Sequence, residues 1–258
     1  MGKNSTWQAA VKGLIIPVIV VIAWIIVTAR GSIPIGILPK LPMVGDAFKE
    51  LIETGQLKED LFLSFSRVLK GYLVAAVIGI VLGSLAGMFL TVRQLIVPVI
   101  TVIRQIPIIA WIPLIILWAG IGELSKVIII ALAAFFPILV NTENGIASTP
   151  EGFVEVAHLY NLNPWETFVN VYLPHAIPSM LVGLKLGLST SWMAVVAAEM
   201  IASSSGIGYR LTYARSMMEA NIVIACMIII GLVGVAMDKL IGWVFGLLTP
   251  WQKAIKKS

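Results

Sequence analysis

The chain has one cysteine, two histidines and little charge: 12% of its 258 residues are Asp, Glu, Lys or Arg, while 59% are hydrophobic. Soluble domains carry about 25% charged residues, so this composition describes an integral membrane protein. Cys226 lies inside an apolar run, which excludes an intrachain disulfide and any CxxC metal or redox site and leaves it a small packing residue. His158 and His175 form no HExxH, and no pair of acids makes a catalytic or metal-binding set. A GxxxxGK[ST] loop is absent as well, so the chain cannot by itself cradle nucleotide phosphates; any ATP must be held by another polypeptide. The net charge of +5 is spread in short clusters at the termini and loop ends, with no stripe for nucleic acid.

Long apolar runs fill most of what remains. Spans are expected at about 13–29, 66–90, 97–119, 124–142, 176–201 and 221–247, each near the ~20 residues a bilayer requires. Val27-Thr28-Ala29 also suits a signal-peptidase site, but the later spans already hold the chain in the membrane, and the first is read as an anchor. Between the first two, Pro34, Pro39 and Pro42 break structure, and residues 46–57 read as an amphipathic surface helix with Phe48, Leu51 and Ile52 on one side. Gly79, Gly83 and Gly87 stand four apart, a small-residue face that lets helices approach closely. Pro107 and Pro113 fall inside the third span, where freed carbonyls need protein or water.

Ionised groups at membrane depth cost about 2.5–3.5 kcal/mol on insertion scales and usually face a bundle interior or a watery path. Arg104 and Glu199 stand out on this ground, Glu199 either lining the path or bracing a gate beside the Ser203–Tyr209 loop, and with Gln105, Asn141, Ser189 and Trp192 they are the expected translocation-path residues. Lys185, a third of the way into its span, fits snorkelling as well as function.

The stretch from Ser148 to Pro178 is the one long polar interruption in the second half. Thr149 is expected as an N-cap, Pro150 as the first helical residue and Glu151 in the first turn. Phe153, Val156, Ala157 and Tyr160 share a helix face, and Asn161 is expected in the left-handed conformation that ends the helix. Asn163, Pro164 and Glu166 read as a second cap, first position and capping box. Two capped helices between spans make a docking element.

This stretch resembles the EAA loop of ABC importer membrane subunits: Glu155, Val156, Ala157, then Asn161 at the family's glycine, Val171 at its isoleucine, and Leu173-Pro174, all at the family spacing. Three positions depart from the pattern: Val156, Asn161 and Val171. RQIPIIAWIPLIILWAGIGELSKV, AFFPILVNT and SWMAVVAAEMIASSSGIGY are similar to the sulfonate/nitrate/taurine branch of these permeases, and the resemblance runs from about Leu61 to Trp243.

The resemblance implies an all-α, six-span type I importer permease forming one domain over 1–258, with a cytoplasmic coupling-helix pair at 148–174. Glu155, Ala157, Tyr160, Asn161, Leu173 and Pro174 are the coupling residues it implies. The implied assembly is a homodimer in the bacterial cytoplasmic membrane with two ATPase subunits, which hold ATP and Mg, and an extracytoplasmic binding protein; the chain itself binds no cofactor. An aliphatic sulfonate is the first expected cargo, with nitrate, taurine, bicarbonate or a vitamin precursor as alternatives. A secondary carrier or channel using Glu199 or Asp238 is the alternative of another class. Positive charges alone leave the orientation undecided, since no Lys or Arg lies between Asn141 and Leu184; the resemblance places the docking loop inside the cell.

Overall fold

The computed structural model describes the backbone of residues 3–31 and 33–248, and side chains from residue 13 to 247 except Ser32. The lysines Lys253, Lys256 and Lys257, and the side chains of Lys3 and Lys12, lie outside the described residues. Every regular element among the described residues is helical. In order these are α1 (Lys3–Ala29), α2 (Leu41–Glu53), α3 (Gln56–Met88), α4 (Leu90–Ile103), α5 (Ile108–Ala119), α6 (Glu123–Ala147), α7 (Glu151–Leu159), α8 (Pro164–Thr167), α9 (Leu173–Ala202), α10 (Ile207–Ser216) and α11 (Ala220–Leu248). By length and composition α3, α6, the run Pro164–Ala202 and α11 can each cross a membrane, and α1 holds a shorter apolar stretch at Gly13–Ala29.

The chain divides into two compact units. One comprises the residues up to Lys58 together with Arg210–Ile229. In it Trp24 donates its indole N–H to the Pro39 carbonyl at 2.9 Å. α2 buries Val44, Ala47 and Leu51 along one face. Ile52, expected on that face, is exposed, because the buried stripe runs 44, 47, 51 at helical spacing and leaves 52 a quarter-turn away. Pro42 starts α2 rather than breaking structure, since proline at the first turn lacks only an N–H that has no partner there.

The other unit, Glu59–Tyr209 with the chain from Ile230 onward, holds a packed trio of α3, α6 and α9. Glycine makes this packing possible. A Cβ at Gly79 would lie 2.9 Å from Ile138 Cγ2, one at Gly83 2.7 Å from the Leu139 carbonyl, and one at Gly87 2.6 Å from Ile146 Cβ. Gly183 and Gly187 do the same for α9 against α6, where Cβ atoms would meet Asn141 at 2.7 Å and Ile138 at 2.8 Å. Ile138 is fully buried between the two glycine stripes. Pro137 has no N–H for the Ala133 carbonyl, and the Thr190 hydroxyl of α9 donates to that oxygen at 3.0 Å.

The expected span over 97–119 is not one straight helix. α4 and α5 meet at 99°, with the break at 104–107. Pro107 has φ −55° and ψ 137°, an extended conformation, and it cannot donate to a carbonyl one turn back. Pro113, also expected to disturb the run, sits inside α5. Pro107 therefore carries the bend.

Candidate functional site

Three places in the α3–α6–α9 unit concentrate polar residues. The first is the segment linking α6 to α9. α7 closes in a Schellman arrangement: Asn161 has φ 52°, its N–H donates to the His158 carbonyl at 2.9 Å, and Leu162 N–H reaches the Ala157 carbonyl at 3.1 Å. Asn161 thus occupies the left-handed position, as its side-chain type implies. Two residues on, Glu166 N–H donates to Asn163 Oδ1 at 2.9 Å and Asn163 N–H to Glu166 Oε2 at 2.8 Å, completing the capping box.

Thr149 does not cap α7. Pro150 is the flanking residue, and the Thr149 hydroxyl is buried without a hydrogen-bond partner among the described residues. Pro150 cannot continue backwards into a turn that would bring Thr149 Oγ1 to the helix N–H groups. The second short helix is not separate either. α8 runs through a π-helical turn, Phe168–Tyr172, directly into α9, so that 164–202 is one helical element. Pro174 lacks the N–H that would bond the Asn170 carbonyl, and the register loosens there, with Leu173 N–H bonding back to the Phe168 carbonyl.

Among the implied coupling residues, Ala157 alone is buried, while Glu155, Tyr160, Asn161 and Pro174 are exposed and Leu173 is half-buried. Phe153, Val156, Leu159, Tyr160 and Trp165 are all exposed apolar side chains of this segment. The segment is thus a capped element that presents five exposed apolar side chains.

The second place is a cavity of about 420 Å³ at the α4–α5 break, lined by Arg104, Pro107, Phe136, Asn141, Thr190 and Met193 among others. It brings together two of the expected path residues, Arg104 and Asn141; Gln105 does not line it. Ser189 and Trp192 line a different cavity of about 600 Å³ against α11, which shares Met193 with the first. There the Trp192 indole donates to the Ile230 carbonyl at 3.0 Å. Lys185 pairs with Asp238 at 3.1 Å across α9 and α11.

The third place is an ion cluster at the opposite end of α6. Glu199 is 1% exposed and lines neither of these cavities. Its carboxylate accepts from Arg67 Nη1 at 2.7 Å, Ser64 Oγ at 2.8 Å and Gly208 N–H at 3.0 Å. Arg67, 2% exposed, also donates to Glu123 at 2.6 Å and to the Ser205 carbonyl at 2.9 Å. Gly206 N–H donates to Asp60 at 3.0 Å and Ile207 N–H to Ser64 Oγ at 3.1 Å. The amino end of α10 is thus capped from outside, by side chains of α3 and α9. Lys126, 5% exposed, pairs with Glu123 at 3.1 Å.

Arg67 and Lys126 read from sequence only as charges at the edges of apolar runs; the partners of Arg67 lie on other helices, while Lys126 pairs within α6. The Arg67–Glu199 separation of 132 residues explains why no local pattern reveals the pair.

Residues 75–253 match the family described as binding-protein-dependent transport system inner membrane component. A putative ABC transporter permease of Methanocaldococcus jannaschii is 37% identical over 98% of this chain and 96% of its own length. The putative aliphatic sulfonates transport permease SsuC of Bacillus subtilis is 35% identical over 98% and 90%. A nitrate import permease of Leptolyngbya laminosa is 34% identical over 72% and 67%. Among solved structures, the inward-facing MetNI methionine ABC transporter superposes with a TM-score of 0.60 at 18% identity, covering 74% of this chain and 97% of that one, a likeness of fold. Family, relatives and fold agree. The chain belongs to the binding-protein-dependent transport system inner membrane components, the membrane-embedded permease subunits of ABC importers.

Proposed function

We propose that this permease imports a small organic anion by alternating access, as a homodimer carrying two cytoplasmic ATPase subunits and receiving cargo from an extracytoplasmic binding protein. ATP and Mg belong to the ATPase partners, in keeping with the missing phosphate loop in this chain. Six crossings per chain follow if α1 and the bent α4–α5 pair each count as one. The segment from Pro150 to Pro174 is the lever. ATP-driven closure of the ATPase pair moves it, α6 and α9 follow because it is continuous with both, and the cavity opens outward; hydrolysis resets it.

The observation that carries this reading is the double capping of α7 and α8 beneath five exposed apolar side chains. Glu155 supplies an acid on the same exposed surface, and Ala157, Asn161, Leu173 and Pro174 hold its shape. Arg104, Gln105, Asn141, Ser189 and Trp192 are proposed as path residues. Glu199 is proposed as a brace for the loop at the outer end, in keeping with its burial and complete set of partners.

An aliphatic sulfonate is the first proposed cargo, which the Bacillus subtilis relative's name supports. Nitrate is the second reading, which the Leptolyngbya laminosa relative's name supports. A carrier that works alone through Glu199 is disfavoured: its coupling acid must exchange ions with water, whereas Glu199 is sealed. Glu155→Lys in the reconstituted complex tests the lever. Uptake into vesicles should fall to background while ATP hydrolysis and the helical content persist; undiminished uptake would remove the assignment.

A further inference from the structure

We propose that the cavity at the α4–α5 break is an anion subsite for a short-chain alkyl monoanion, sulfonate or carboxylate, with Arg104 at its head group and apolar walls around its tail. The inference rests on the permease reading above and assigns that permease a chemical preference.

Position comes first. The lining residues Ala133 to Asn141 lie in the middle of α6, and Thr190 and Met193 in the middle of α9. The cavity therefore sits at mid-depth of the two helices, away from both the docking segment and the ion cluster. A helix broken at that depth is tolerated where its freed backbone lines a cavity.

Charge comes second. Arg67, Arg93, Lys126 and Lys185 each have a carboxylate within 3.1 Å. Arg104, an exposed residue at the α4–α5 break, has no carboxylate partner among the described residues, although the break lies within an apolar run long enough to span a membrane. An uncompensated guanidinium in such a place is a functional group by default, and an entering anion supplies the missing charge.

The third point is what else the walls offer. The Asn141 amide donates to the Pro137 carbonyl at 2.8 Å, and the Thr190 hydroxyl is engaged with the Ala133 carbonyl. Ile106, Ile108, Phe136, Val140 and Met193 complete the lining with apolar surface. One positive charge and few spare donors suit a monoanion whose far side needs no hydrogen bonds. Sulfate brings a second charge that a single guanidinium leaves uncompensated, and nitrate has no apolar part to set against such walls. An alkyl tail instead gains from them, about fourfold in affinity per buried methylene.

The test uses the purified complex of this chain with its ATPase subunits, and follows stabilisation by methanesulfonate, butanesulfonate, nitrate and sulfate as probes. Butanesulfonate should act at concentrations at least tenfold lower than nitrate or sulfate. Arg104→Gln should lose that effect while keeping the thermal midpoint of the unliganded complex and its response to ATP, and Arg104→Lys should recover part of it. Ala133→Phe, which fills the cavity, should weaken butanesulfonate more than methanesulfonate. Equal responses to nitrate and butanesulfonate, or an Arg104→Gln complex that binds butanesulfonate like wild type, would overturn the subsite. Vesicle uptake with the binding protein added separates the two layers. ATP hydrolysis with no anion import would defeat the permease reading itself, whereas wild-type import matched by Arg104→Gln would defeat the subsite alone.

Discussion

The two ends of α6 solve opposite problems. At its start, Arg67, Glu199, Glu123, Lys126, Ser64 and Asp60 knit α3, α6, α9 and the turn into α10 into a bonded cluster. At its finish, about 37 Å away along a helix of 25 residues, polar groups are spent on fixing the chain's own shape. There the apolar side chains Phe153, Leu159, Tyr160 and Trp165 remain outside. One end is bonded up within the chain; the other leaves apolar side chains exposed. A lever needs that pairing, since a movable handle transmits force only if the far ends of its helices are held together.

Breaking the held end should have the largest effect. Arg67→Met leaves Glu199 buried with its main counter-charge gone and should cost about 3–5 kcal/mol, read as a lower thermal midpoint of the purified complex. Arg67→Met with Glu199→Met should recover part of that loss, because two packed apolar groups replace an orphaned charge. A double variant no better than the single one would show that the loop bonds to Ser205, rather than the ion pair, hold this end.

At the handle the effects should be smaller in stability and larger in transport. Asn161→Val forces a β-branched residue to φ 52° and should cost about 1–2 kcal/mol, with uptake falling alongside. Asn161→Gly should lie within about 0.5 kcal/mol of wild type. Equal uptake by both variants would detach the turn geometry from transport.

Within the cluster the smallest effect should be that of Glu123→Gln. The Glu123 side chain is 59% exposed, although its partners Arg67 and Lys126 are buried. A Gln amide oxygen can still accept from them while solvent screens the lost charge, so the cost should stay near the ~1 kcal/mol upper end for exposed pairs. Thermal midpoints should barely move. A shift as large as that of Arg67→Met would place Glu123, not Glu199, at the centre of the cluster.

Local signals carried well where the physics is local. The Asn163–Glu166 box, the left-handed Asn161 and the glycine spacing of α3 each depend on a few neighbouring residues, and each is realised. The helical class of the whole chain was equally legible from composition. Misreadings arose where two local rules compete. Thr149 and Pro150 both favour a helix start, and Pro150 takes the boundary. Pro107 and Pro113 look alike in sequence, yet only one sits at a bend, because the other is accommodated within α5. The ion cluster was the least legible part. Glu199 stood out for being an acid in a span, but Arg67 and Ser64 become its partners only when helices more than a hundred residues apart are packed together. The same holds for the cavity, where Arg104 and Asn141 meet across different helices.

The claim on which the account depends is that an ATPase subunit seats on the Pro150–Pro174 segment. Photo-crosslinking residues placed singly at Phe153, Tyr160 and Trp165, with Leu117 on α5 as an exposed control, put that claim to a direct test in the intact complex. Adducts to the ATPase from the first three positions, changing in yield on addition of ATP, and none from Leu117, are the predicted result. Crosslinks from these positions to lipid or to the extracytoplasmic binding protein, with none to the ATPase, would contradict it.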